Sequence, residues 1–153
     1  MSPNKLVITD TSCFVLLYKI DGFAILHNLF GSVFTTPEIA LEYGEQLPEW
    51  VVIQPIKDQN LLAEYQQKVD PGEASALALA QEINADLVIL DDLEARKFAL
   101  KLGLAFKGTL GLLVMAKQEG IIPSIRPYLE KVQQTNFRLA SHLVDQSLRD
   151  AGE

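Results

Sequence analysis

Apolar residues along this chain switch repeatedly between a short continuous run and helical spacing. Residues 5–9, K-L-V-I-T, form a β-branched run broken by Asp10, and 11–19 and 22–30 then carry apolar residues at helical period. A second strand is predicted over 32–35, followed by Thr36-Pro37, a cap with proline at the first helical position, and a helix to about Tyr43 that Gly44 closes. Residues 51–54 read as a third strand and 58–68 as a polar helix. Asp70-Pro71-Gly72-Glu73 then opens a helix, S-A-L-A-L-A-Q-E-I, that is small and apolar nearly all round and is therefore expected to be buried. The run L-V-I-L at 87–90 is continuous, as in a central parallel strand covered on both faces, and Asp91 and Asp92 end it. A helix over 93–102 stops at Gly103, a brief strand over 104–106 follows, and Gly108-Thr109 starts a helix ending near Gly120. Helices over 124–133 and 138–149 complete the pattern.

Strands alternating with helices predict an α/β fold, an open parallel sheet with helices on both sides. Ligands of such sheets bind outside the carboxyl ends of the strands. Asp10 and the Asp91-Asp92 pair follow strands directly and are expected in that crevice, and Glu38, Glu42 and Glu73 lie in helices able to line it. Length and composition then bound the class. The chain has 153 residues, 48% of them apolar, which predicts one globular domain over 1–153 with a well-formed core. No apolar stretch approaches the ~20 residues of a membrane span, and the first residues lack a basic region followed by an apolar one, so a soluble protein without a secretory signal is expected. The single Cys13 permits no disulfide within the chain, in keeping with a reducing cytoplasm. A net charge of −7 argues against holding nucleic acid by bulk electrostatics, so any such role must be local.

Each acidic position has two readings. Asp10 is either a metal ligand or the cap of the helix that follows it. Glu38 and Glu42 are one helical turn apart and share a face; the helix dipole explains Glu38, whereas Glu42 gains nothing from it and is the better ligand candidate. Asp70-x-x-Glu73 matches a capping box, yet the apolar helix behind Glu73 implies that its N-terminus lies near the interior or a cleft. Asp91-x-x-Glu94 fits a capping box too, with Glu94 assigned to the cap, so one aspartate caps while the other enters the cleft; the sequence leaves open which. Gly108-Thr109 with Gly111 suits either a phosphate at a helix N-terminus or a Thr cap with close packing. Arg96, Lys97 and Lys101 form a basic strip, either a solvated face or a hold on a phosphate backbone. His27 and His142 have no Cys or second His at ligand spacing, which argues against zinc. The marks of P-loop hydrolysis, dinucleotide binding and serine hydrolysis are missing.

Together I-T-D-T-S at Asp10, T-P-E-I-A-L-E with Glu38 and Glu42 at 36–42, G-E-A-S-A-L-A-L-A at Glu73 and L-V-I-L-D-D-L-E-A-R with Asp91 to Arg96 at 87–96 resemble the PIN domain, the nuclease fold of many bacterial toxins of toxin–antitoxin pairs. The segment K-G-T-L-G-L-L at 107–113 is similar to a subgroup of uncharacterised PIN-like proteins. The resemblance covers most of the chain. It implies a three-layer α/β/α fold with a central parallel sheet of four to five strands, and Mg²⁺ or Mn²⁺ bound by Asp10, Glu42, Glu73 and Asp91 or Asp92. It departs from the family in having Glu73 where many members carry aspartate and Asp91 where many carry a hydroxyl. The implied catalytic set is Asp10, Glu42, Glu73 and Asp92, with Thr109, Arg96 and Lys107 binding substrate. The implied activity is endonucleolytic RNA cleavage leaving a 5′-phosphate, with a homodimer and a small antitoxin as expected partners. The alternative is a non-catalytic PIN-like module whose acids serve as caps. A haloacid-dehalogenase-like phosphatase is disfavoured, because Ser12 stands where that chemistry wants a second aspartate.

Overall fold

The structure is a computed structural model that describes residues 5–153. Five short strands, β1 (Val7–Thr9), β2 (Val33–Thr35), β3 (Val51–Ile53), β4 (Leu87–Ile89) and β5 (Phe106–Lys107), pair in the order β3-β2-β1-β4-β5, all parallel. Nine helices among the described residues flank the sheet: α1 (Thr11–Lys19), α2 (Phe23–Phe30), α3 (Pro37–Tyr43), α4 (Gln59–Tyr65), α5 (Pro71–Ile83), α6 (Leu93–Lys101), α7 (Thr109–Gln118), α8 (Arg126–Gln133) and α9 (Ser141–Asp150). The architecture is the three-layer α/β/α arrangement that the alternation of periods predicts. Among the described residues no single helix is long and apolar enough to cross a membrane.

β1 and β4 lie side by side at the centre, and every residue of both is buried. Continuous apolar runs suit such strands because both faces are covered. α5 is buried along eight of its residues, among them Ala74, Ala76, Ala78 and Ala80, whose small side chains allow it to pack closely against α3 and α4. Chain order reverses at the sheet centre, with β1 between β2 and β4, so the crevice beyond the ends of β1 and β4 is the topological switch point.

Several element boundaries differ from the sequence reading, four of them for a visible reason. β5 runs over Phe106–Lys107 rather than 104–106, because the Leu104 N–H closes the end of α6 on Ala99 O at 3.0 Å, past Gly103 at φ +74°. α4 stops at Tyr65, where the chain tightens into turns, Gln67 N–H to Glu64 O and Lys68 N–H to Tyr65 O. α8 begins at Arg126, since Ser124 donates its hydroxyl to Glu153. α9 begins at Ser141, three residues later than expected. The segment 135–140 is not helical: Thr135, Phe137 and Leu139 are half-buried while Asn136, Arg138 and Ala140 between them are exposed, a period of two. Thr135 secures its start by donating to Val132 O at 2.6 Å and accepting from Phe137 N–H at 3.1 Å.

Candidate active site

β1 delivers Asp10 into the crevice. The residue is 2% exposed and caps α1, accepting the Cys13 N–H at 3.1 Å. Thr9 pairs with Ile89, so the ends of β1 and β4 lie level, and the Asp91 N–H also donates to the Asp10 carboxylate. Burial holds the Asp10 carboxyl well above its usual range, and the charges of Asp91 and Glu73 raise it further against the lowering effect of its two N–H donors. The ligand reading and the cap reading of Asp10 are thus not exclusive. Cys13, fully buried behind it, is pushed up by burial, Asp91 and Asp10, with a lowering contact from Thr109.

The question left open by the two adjacent aspartates has a geometric answer. Asp92 caps α6, accepting the Ala95 N–H at 2.9 Å, while its side chain remains exposed. Asp91 instead turns to α7. Its Oδ1 accepts the Thr109 N–H at 2.8 Å and its Oδ2 the Thr109 hydroxyl at 2.6 Å. The N-cap of α7 is Gly108, which has no side chain to offer, so Asp91 caps that helix from across the chain. A Cβ on Gly108 would stand 1.9 Å from Arg96 Nη2 and 2.9 Å from Asp91 Oδ1, which is why glycine occupies the position. Glu94, assigned to a cap by its spacing, lies on the surface, 3.6 Å from Lys97.

Glu73 sits in the first turn of α5, half-buried, behind the Asp70 cap at 2.9 Å. Desolvation first, then the neighbouring Asp70 and Asp92 charges, lift its carboxyl to about 7. Glu42 is exposed and accepts the Thr11 hydroxyl. Its Oε1 lies only 2.7 Å from where a Cβ on Gly72 would be, so the missing side chain at Gly72 lets Glu42 rest on the start of α5, next to Glu73. Glu38, the less favoured of the pair by its sequence position, is half-buried, and its Oε1 is buried with no partner among the described residues.

The basic strip divides in the structure. Arg96 donates Nε–H to Leu90 O at 2.8 Å, lies 5.8 Å over the Phe106 ring and packs against Gly108, beside Asp91. Lys97 and Lys101 line a separate recess with Lys68 and Phe98. Lys107 is exposed at the end of β5, and Thr109 is 1% exposed with its hydroxyl committed to Asp91. His27 is a helix-end residue, bonded through Nδ1 to Gly31 O at 2.7 Å and stacked on Trp50. Arg138 and Phe137, which have no site role in the sequence reading, line a groove together with Arg96 and Lys107. Their signal is the alternating T-N-F-R-L-A pattern at 135–140, whose last three residues read as the start of a helix.

The candidate ligands are all carboxylates, a donor set suited to Mg²⁺ or Mn²⁺. Asp10 is buried among like charges, with Asp91 and Glu73 both acting on it, and a cation would relieve that repulsion. No three Asp, Glu, His or Cys side chains among the described residues stand close enough to enclose an ion as they lie.

An open parallel α/β sheet with carboxylates gathered at its switch point defines the class, a fold of the nuclease type. A family model described as a PIN domain matches residues 6–153, and the chain belongs to that family. PIN domains are generally nucleases that use divalent metals. No curated protein matches the chain.

Proposed function

We propose that this protein is a metal-dependent endoribonuclease, the toxin of a toxin–antitoxin pair, acting in the cytoplasm as a homodimer. The observation that carries this reading is the buried Asp10 carboxylate, flanked by Asp91 and Glu73 and held by the fold despite its desolvation. Asp10, Glu73 and Asp92 would hold Mg²⁺ or Mn²⁺, with Glu42 and Asp91 completing or orienting the set. When bound, such an ion supplies a water of lowered pKa and neutralises charge on the scissile phosphate. Glu73, half-buried in the first turn of α5 with the Asp92 charge acting on it, would hold the ion in its charged form. Arg96, fixed through Nε to Leu90 O, keeps its Nη groups for phosphate oxygens, and Lys107 adds a charge beside it. Thr109 acts on substrate through Asp91, which it orients by two hydrogen bonds. The products are a 5′-phosphate and a 3′-hydroxyl.

The test is cleavage of a mixed RNA pool by wild type and Asp10→Asn with Mn²⁺, Mg²⁺ or chelator. Cleavage should require metal and fall at least ~100-fold in the variant, on the scale of losing a main transition-state contact. Full metal-dependent cleavage by Asp10→Asn would sink the assignment. A second reading, a non-catalytic binding module, is favoured by a separate observation: Asp10, Asp70 and Asp92 all cap helices and Asp91 anchors Thr109, so each has a structural use. Intact RNA in every lane of folded protein would select it.

A further inference from the structure

A groove of about 390 Å³ opens on the flank of the carboxylate crevice, between β5, the start of α7 and the segment leading into α9. Its volume falls within the roughly 300–1,000 Å³ of small-molecule subsites. Asp91 joins the two, since it acts on Asp10 on one side and lines the groove on the other. The walls carry Phe137, Leu139 and Leu143, and the rim carries Arg96, Lys107 and Arg138. None of these three cations has an ion-pair partner among the described residues. In a chain of net charge −7, three unpaired cations meeting around one apolar slot form a local exception. The acid at the other end, Asp150, also lines a second recess of about 320 Å³ with Lys107, Gly111 and Ser147, whereas Arg96, Gly108 and Arg138 line the first alone. Arg96 lies beside Asp91 at Gly108, and Asp150 is shared with the second recess.

We propose that this groove binds one nucleotide of a single-stranded polynucleotide next to the scissile phosphate, with the base against Phe137 and Leu139 and the flanking phosphates on Arg96, Lys107 and Arg138. The inference rests on the nuclease reading for its link to cleavage, but the binding itself needs neither metal nor chemistry. An apolar floor accepts the π-face of any base, and separate cations track the backbone, which is how single strands are held without sequence readout. A duplex keeps its bases stacked inside, so it gains the rim charges and loses the floor. Phe137 and Arg138 deliver these two contributions because this segment is not helical, so that half-buried Phe137 and exposed Arg138 both line the groove.

The experiment is fluorescence anisotropy in chelator, on an Asp10→Asn background, with a short labelled oligouridylate, the same strand as DNA, and the same strand annealed to its complement. The single strand should bind about tenfold or more tighter than the duplex. Arg138→Glu should weaken single-strand binding about tenfold and reduce the slope of log affinity against log salt by roughly 0.7 per lost phosphate contact. Phe137→Leu, which keeps the apolar packing, should weaken it by several-fold while leaving that slope unchanged. Equal affinity for RNA and DNA assigns the groove to single strands in general; preference for RNA assigns it to RNA, and either supports the proposal. Duplex binding equal to single-strand binding, or unchanged affinity in Arg138→Glu with an unchanged melting temperature, overturns it. If wild type cleaves RNA and Arg138→Glu cleaves with the same KM, the groove fails while the nuclease reading stands. If no metal supports cleavage but Arg138→Glu still loses single-strand binding, the nuclease reading fails while the groove stands.

Discussion

Two carboxylates with little side-chain exposure in this molecule have opposite surroundings. Glu153, with its side chain 10% exposed, accepts the Ser124 hydroxyl at 2.5 Å and the Ile125 N–H at 2.8 Å, with Lys117 Nζ at 3.3 Å and Arg126 Nε at 3.6 Å. Those two hydrogen bonds, with the Lys117 charge behind them, hold its carboxyl far below the usual range, at about 2. Asp10 is buried more deeply, and its charged neighbours are Asp91 and Glu73. Burial alone therefore does not determine what a carboxylate does; its partners do. Glu153 ties the ends of α7 and α9 to the start of α8 and is structural. Asp10 keeps an unfavourable charge in place that only a cation or a proton relieves, a pattern typical of functional sites.

The sharpest way to break this contrast is to neutralise each carboxylate with its amide. Glu153→Gln should lower the melting temperature, because the Lys117 and Arg126 partners lose their counter-charge and an amide donor faces them. Asp10→Asn should leave the melting temperature unchanged or raise it in metal-free buffer above neutral pH, since asparagine still caps α1 and about 1–3 kcal/mol of buried repulsion is removed. For a chain of this size that corresponds to a rise of roughly 2–4 °C per kcal/mol. A fall in stability for Asp10→Asn comparable to that for Glu153→Gln would erase the distinction.

A smaller effect follows from Glu73. Its folded-state pKa, about 7, lies above the unfolded value, so the folded chain binds the proton more tightly. The stability this contributes is complete at acidic pH below the unfolded pKa and is lost as pH rises through about 7. Metal-free wild type should thus lose about 1 kcal/mol between pH 5 and 8 after allowance for solvent screening of a half-exposed group, and Glu73→Gln should flatten that slope. Added Mn²⁺ should reduce the loss, because the ion binds the charged form. A thermal melt series against pH with and without metal checks all three.

The smallest change in stability is expected at Gly72. Gly72→Ala would press a methyl group to 2.7 Å from Glu42 Oε1, and an exposed glutamate can swing away at little cost. The melting temperature should hardly move. Metal-dependent cleavage should fall severalfold if Glu42 completes the site, and stay unchanged if Glu42 only bonds Thr11.

The strands, most helices and the acids at their ends were legible because their signals are local. A cap bonds three residues ahead, so Asp58, Asp70 and Thr36 announce helices within a few positions of themselves. The failures came where a distant partner overrode the local pattern. Ser124 and residues 138–140 read as helix, yet Ser124 is taken by Glu153 and Leu139 is half-buried between exposed Arg138 and Ala140. Likewise Asp91-x-x-Glu94 has the spacing of a capping box, but Asp92 caps α6 and Glu94 lies on the surface.

By itself the sequence determined the alternation of elements and the acids standing at strand ends and helix starts, since these depend on period and chain order. Only the tertiary structure decided how those acids divide their work. Ile89 pairs with Lys107, so two residues further along both strands Asp91 meets Thr109; Thr9 pairs with Ile89, so Asp10 comes out beside the start of that same turn. Register between strands some 80 residues apart fixes which charges share a low-dielectric space, and no local pattern carries that information.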